Sequence, residues 1–193
     1  MKLYYTPRSH YSRKVRILVD SLALNCDLID VGNVADLSKD LFGPNPLMKV
    51  PTLIDGDCVV FDSDNIAQYL VRQYDSNDRF QVLTSDISVL NARVVMNGIM
   101  AADVEIVLAA RAGIDAQQPL QLQKMYRTIE NGLNWLENNS RIFSTQLSYI
   151  DFHLACMWDH LVFYNVVPLK YEALRECVKR VSGLPYVKST API

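Results

Sequence analysis

Lys49-Val50-Pro51-Thr52-Leu53 and, eleven residues after Pro51, Asp62-Ser63 are the positions best suited to hold a ligand. A short apolar strand opens on a proline and a tight turn reverses it. A second strand then delivers an acid and a hydroxyl to the start of a helix. An extended molecule is offered two handles: the backbone beside Val50, and a helix N-terminus with a carboxylate next to it. A peptide-like molecule with a free amino-acid end suits both. Nearer the N-terminus, Ser9 stands where a first helix should begin, with a hydroxyl that can cap the helix or donate a hydrogen bond. Tyr5, His10 and Ser12 bring further polar groups to the same stretch.

The elements that must position these groups follow from periodicity. Lys2–Tyr5 reads as a strand and Thr6–His10 as a polar turn. From Tyr11 onward Val15, Leu18, Val19 and Leu22 fall at helical spacing, with Arg13, Lys14 and Arg16 between them. Cys26–Val31 is a second strand, and Ala35–Phe42 a weak helix stopped by Gly43-Pro44. Pro51–Ile54 and Cys58–Phe61 are strands joined by the hairpin signal Asp55-Gly56-Asp57. Asp62 or Ser63 then caps a helix whose Ile66, Ala67, Leu70, Val71 and Tyr74 share one face. The order βαβαββα predicts a mixed four-stranded sheet over residues 1–75.

Residues 76–84 form a polar, aperiodic linker, and residues 85–193 carry no convincing strand. Helical patterns run over Ser85–Arg111, Pro119–Asn138, about Ser148–Tyr164 and Leu169–Val181. Ser148-x-x-Asp151 is a capping box, with Leu147 and Phe152 placed as a hydrophobic staple. The second domain is therefore expected to be all-helical. Half the residues are hydrophobic, 21% are charged and the net charge is −2, a globular balance with no basic excess for nucleic acid. No apolar run approaches a membrane span, and the N-terminus has no signal-peptide core. The four cysteines form neither CxxC nor zinc spacing, so they are expected to be reduced thiols of a cytoplasmic protein. His153 and His160, seven apart on one helix, lack the partners of a metal site; one is expected near the core and one exposed.

This order of motifs resembles the cytosolic glutathione transferase superfamily, over essentially the whole chain. The resemblance rests on Thr6–Arg16, on Asn45-Pro46-Leu47-Met48-Lys49-Val50-Pro51-Thr52-Leu53, on Phe61-Asp62-Ser63 and on the capping box. It is nearest to short bacterial members with a serine after the first strand. It implies a thioredoxin-like N-terminal domain followed by an all-α domain, with Pro51 as a cis-proline beside a ligand-pairing Val50. Asp62 and Ser63 would take the γ-glutamyl end of glutathione, and Lys49 the glycyl carboxylate. Ser9 would stabilise the glutathione thiolate, with His10 nearby; Tyr5 and Ser12 are its competitors for that role. The family often has glycine where this chain has Met48, which bears on the loop path before Val50.

The activity implied is attack of glutathione thiolate on a small electrophile, with glutathione as co-substrate and no metal. The second substrate is expected near the Ser9 loop and Met96, Met100 and Val104. A twofold homodimer is implied, although Asn97 stands where some members place an acid that reaches the partner's glutathione. A glutathione-dependent isomerase or dehalogenase would use the same thiolate. A non-enzymatic reading resembles the stringent-starvation type of regulator, which tends to lose the glutathione residues that this chain keeps.

Overall fold

The computed structural model describes residues 1–115, 119–143 and 146–192. Its contacts divide the chain into two units, Met1–Leu83 with Gly183–Ile193, and Thr84–Ser182. The last residues therefore pack with the first unit, whereas the sequence assigned them to the helical domain.

The first unit is built on strands β1 (Lys2–Tyr5), β2 (Asp27–Asp30), β3 (Thr52–Asp55) and β4 (Cys58–Phe61), in the order β2-β1-β3-β4. β1 runs parallel to β2 and antiparallel to β3, and β3 antiparallel to β4. This is the expected mixed sheet. The β3–β4 turn uses Gly56 at φ 57°, a backbone region that glycine enters without steric cost. Helices α1 (His10–Ser21) and α2 (Ser63–Tyr74) pack on one another. Leu3, Val15, Leu18, Leu53, Ile66 and Leu70 are fully buried and form the heart of the unit.

The expected helix over 35–42 reduces to a single 3₁₀ turn, Lys39–Phe42. Asn33 and Asp36 explain why. The Asn33 carboxamide oxygen accepts from the Ala35 N–H at 3.1 Å, and the Asp36 carboxylate from the Ser38 N–H at 2.7 Å. Both offer the backbone a turn in place of a helical bond.

Arg13 and Lys14, read in the sequence as polar residues between apolar ones, are buried. The Arg13 guanidinium donates to the Val187 carbonyl at 3.1 Å and approaches Thr190 Oγ1 at 3.4 Å, which draws the C-terminal segment with α7 (Pro185–Lys188) onto α1.

The second unit consists of α3 (Ile87–Arg111), α4 (Leu120–Asn138), α5 (Tyr149–Tyr164) and α6 (Glu172–Ser182). Met96, Ile99, Met100, Ile129, Leu133, Phe152 and Cys156 are fully buried. Met96 and Met100, expected to line a substrate pocket, are core residues instead; Val104 is half-buried. α5 is held at its start by Asp151. Its Oδ2 accepts from the Ser148 N–H at 2.9 Å and from the Ser148 hydroxyl at 2.8 Å, and its Oδ1 from Arg180 at 2.9 Å. Burial pushes the Asp151 carboxyl upward, opposed by its bonds to Ser148 and by the Arg180 charge. His153 and His160 are both buried, so the expected exposed histidine is absent; His160 Nδ1 lies 2.7 Å from Asp103 Oδ2.

Candidate functional site

Strand register gathers the singled-out residues at one end of the sheet. Tyr4 on β1 pairs with Thr52 on β3, and Thr52 with Phe61 on β4. The Ser9 turn follows β1, Val50-Pro51 precedes β3, and Asp62-Ser63 follows β4. Neighbouring strands are about 4.8 Å apart, so three adjacent strands span roughly 10 Å. That is the reach of about three extended residues.

Ser9 is the N-cap of α1, in extended backbone, and its Oγ accepts from the Ser12 N–H at 3.1 Å. That bond uses a lone pair of the oxygen and leaves the O–H able to donate. The cap and the donor are thus compatible roles. No acidic residue stands in the first turn of α1, so nothing there cancels the positive field of the helix N-terminus. The competitors are placed differently. Ser12 is completely buried, and its hydroxyl has no partner among the described residues. The Tyr5 ring lies under the Arg16 guanidinium, 4.6 Å from its centroid, in a packing role. His10 is 2% exposed, with its ring centroid 3.7 Å from that of Tyr11, so it is a buried helix residue and not a loop residue.

The Val50–Pro51 peptide bond is cis. β3 begins at Thr52, which leaves the Val50 backbone outside the strand ladder. Lys49 is exposed beside it. The path of this loop is fixed by Asn45, to which the sequence motif gave no role of its own. Its buried carboxamide donates to the Lys49 carbonyl at 2.9 Å and to Thr52 Oγ1 at 3.1 Å, and accepts from the Leu47 N–H at 3.0 Å. A polar residue buried just before an X-Pro strand was the available signal.

Met48 stands at φ 50°, a backbone region that glycine enters more readily than a residue with a side chain. The left-handed region costs a side-chain-bearing residue about 1–2 kcal/mol, partly offset in a glycine variant by the greater freedom of the unfolded chain. Met48→Gly is therefore expected to stabilise the protein by about 0.5–1 kcal/mol. Denaturant unfolding checks it; an unchanged or lowered midpoint would show that the Met48 side chain offsets its own backbone strain.

Asp62 is the N-cap of α2, and its carboxylate accepts from the Asp64 N–H at 2.9 Å. Its backbone sits at φ 74° and ψ 131°, a sparsely populated region for a residue with a side chain. Such strain, of order 1–3 kcal/mol, tends to persist at ligand-holding positions. Ser63 is the first helical residue and is 2% exposed. The site thus combines an exposed carboxylate with a helix N-terminus and a hydroxyl, a pattern that suits the ammonium and carboxylate of one amino-acid end. Three of the four cysteines are poor nucleophiles: burial pushes Cys26 up to about 11 and Cys177 upward, and Cys156 is fully buried; Cys58 is exposed on β4.

Residues 3–78 match the family model "Glutathione S-transferase, N-terminal domain". A crystal structure of a glutathione S-transferase from Methylobacillus flagellatus, solved with glutathione bound, superposes with a TM-score of 0.85 at 25% identity, covering 100% of this chain and 99% of that one. Residues 3–78 thus carry a glutathione S-transferase N-terminal domain, and the chain has the fold of the solved glutathione S-transferases. Among curated members, glutathione S-transferase T1 of Arabidopsis thaliana is 29% identical over 177 residues, 81% of this chain and 70% of that protein. A stringent starvation protein A homolog of Coxiella burnetii is 36% identical over 74 residues, 38% of this chain and 35% of that protein. The latter match therefore spans about a third of its relative's length. No helix among the described residues is long and apolar enough to cross a membrane.

Proposed function

We propose that this protein is a member of the glutathione S-transferase superfamily that binds glutathione along the sheet end and activates its thiol for attack on a small electrophile. The observation that supports the reading is the register itself, which brings the end of β1, the start of β3 and the end of β4 to one end of the sheet, and with them the segments that carry Ser9, Val50 and Asp62-Ser63. In this reading the tripeptide lies across the strand ends. Asp62 takes the α-ammonium, while Ser63 and the α2 N-terminus take the α-carboxylate. The Val50 backbone pairs with the cysteinyl backbone as an added strand, and Lys49 faces the glycyl carboxylate. The thiol then reaches the start of α1, where the Ser9 O–H and the helix field stabilise the thiolate. Ser9 is a donor in this step and forms no covalent bond. The thiol proton leaves to water first. The thiolate sulfur then forms a bond to the electrophilic carbon as that carbon's bond to a leaving group breaks, and the leaving group departs with the electron pair.

An isomerase or dehalogenase would use the same thiolate with a different second pocket. The stringent-starvation relative favours a regulator without catalysis, but that likeness extends over only 74 residues, 38% of this chain. The homodimer implied by the family would have exposed apolar residues to cover: Val59 and Phe61 on β4, and Ile87 and Val94 on α3.

Retention on immobilised glutathione, followed by conjugation assays with a panel of electrophiles, tests the reading. In those assays Ser9→Ala should move the thiol limb of the kcat/KM–pH profile upward by about one to two units, the worth of one charge-assisted donor. Glutathione affinity should change little, because the tripeptide ends are held elsewhere. If Ser9→Ala leaves the limb in place and Tyr5→Phe shifts it, the activating hydroxyl is Tyr5.

A further inference from the structure

Lys14 of α1 is completely buried, and its Nζ lies 2.6 Å from Asp64 Oδ1 on α2. The places of these residues on their helices give the pair its meaning. Ser9 caps α1, and Lys14 lies five residues further along that helix. Asp64 is in the first turn of α2, two residues after Asp62, and its own N–H is held by the Asp62 carboxylate. One ion pair thus joins the helix that carries the thiol-activating hydroxyl to the helix turn that carries the γ-glutamyl site.

Stability gives little reason to keep an ammonium there. Removing it from water is costly, and an apolar replacement of similar volume is often neutral or better for folding. What an apolar pair lacks is direction, because a short ion pair fixes the approach of two helices more sharply than dispersion contacts do. Charge points the same way. Asp64 places a negative charge at the α2 N-terminus, the end that a ligand carboxylate would seek. Lys14 balances that charge.

We infer that Lys14, held by Asp64, is a positioning residue that couples γ-glutamyl binding at Asp62-Ser63 to thiol activation at Ser9. The inference rests on the glutathione reading above. It differs from the roles assigned so far in what it expects. Substitutions at Asp62 and Ser63 act on affinity, and Ser9→Ala acts on the thiol. Loss of Lys14 acts on both.

The test is Lys14→Met, which keeps the length of the side chain and suits a buried site. Glutathione affinity should fall by about tenfold, since small misplacements of a binding group have effects of that order or larger. The bound thiol should titrate about one unit higher, because a nearby positive charge is lost and Asp64 is left unbalanced. Removing one partner lowers the thermal midpoint by itself. Lys14→Met combined with Asp64→Leu, which replaces both charges by apolar groups, should bring the midpoint back towards that of the wild type without restoring affinity or the thiol titration, which separates positioning from simple destabilisation. Amide hydrogen exchange should quicken in the first turns of both α1 and α2, with or without glutathione. A folded Lys14→Met protein whose affinity and thiol titration match the wild type, or in which only one of them moves, overturns the coupling. If the wild type binds no glutathione, the functional reading fails by itself, and the exchange experiment still decides whether Lys14 links the two helix starts. Should Lys14→Met not fold, Asp64→Asn keeps the shape, removes the pairing charge and is read in the same way.

Discussion

Asp62→Ala combined with Ser63→Ala should weaken glutathione binding by at least tenfold. Each residue is assigned one charge-assisted contact to the γ-glutamyl end, worth roughly 1.5–3 kcal/mol. The double variant removes both while the α2 N-terminus and the Val50 backbone remain, so binding should weaken without vanishing. The geometry adds a complication, since the Asp62 carboxylate also caps α2 and its backbone stands at φ 74°. Loss of the cap costs about 1 kcal/mol of stability by itself. Asp62→Gly separates the two effects. Glycine accepts the positive φ and is a tolerable N-cap, so stability should be nearly kept while the carboxylate contact is lost. Calorimetric titration of wild type, Asp62→Gly and the double variant measures this. Equal affinities in all three would remove the γ-glutamyl site.

The largest expected effect on stability belongs to Asp151→Ala. This 1% exposed carboxylate accepts from the Ser148 N–H and hydroxyl and from Arg180. Alanine leaves both Ser148 donors without their acceptor at the start of α5, whose residues are buried throughout its first turns. An orphaned buried donor costs about 1–3 kcal/mol, and breaking a buried ion pair about 3–5 kcal/mol. Arg180 is 40% exposed and can turn to water, so its share is the smaller one. Asp151→Ala should therefore lose about 3 kcal/mol, or roughly 6–12 °C in melting temperature for a chain of this size. Asp151→Asn keeps an acceptor for Ser148 and should lose about half as much. A melting temperature within a degree or two of the wild type for Asp151→Ala would show that Ser148 finds another acceptor.

Which features could be read from sequence follows from how local their causes are. The strand order around Asp55-Gly56-Asp57 and the capping of α2 and α5 depend on residues within a few positions of each other, and all appear at their expected places. The helix expected over 35–42 failed for a reason also local, the turns made by Asn33 and Asp36, which apolar periodicity does not weigh. The remaining differences come from distant partners. Arg13 is buried because Val187 and Thr190, more than 170 residues away, receive its guanidinium. Lys14 is buried because Asp64, 50 residues away, receives its ammonium. Periodicity alone would put both side chains in water. The positive φ of Asp62 and Met48 leaves no mark on residue type, since glycine, the usual sign of it, is absent. The places of Ser9 and Asp62 at helix starts and of Val50 before the third strand were legible from motif spacing, whereas the hydrogen bonds by which Asn45 fixes the Val50 loop were not.

Thiolate ultraviolet absorbance of glutathione bound to the wild-type protein, followed as pH is raised, tests binding and activation together. A free cysteine thiol titrates near ~8.5. The expected result is saturable binding with a thiolate that appears about one to two units lower. Glutathione that does not bind, or that binds with its thiol titrating as it does in free solution, would contradict a thiol-activating glutathione site at this end of the sheet.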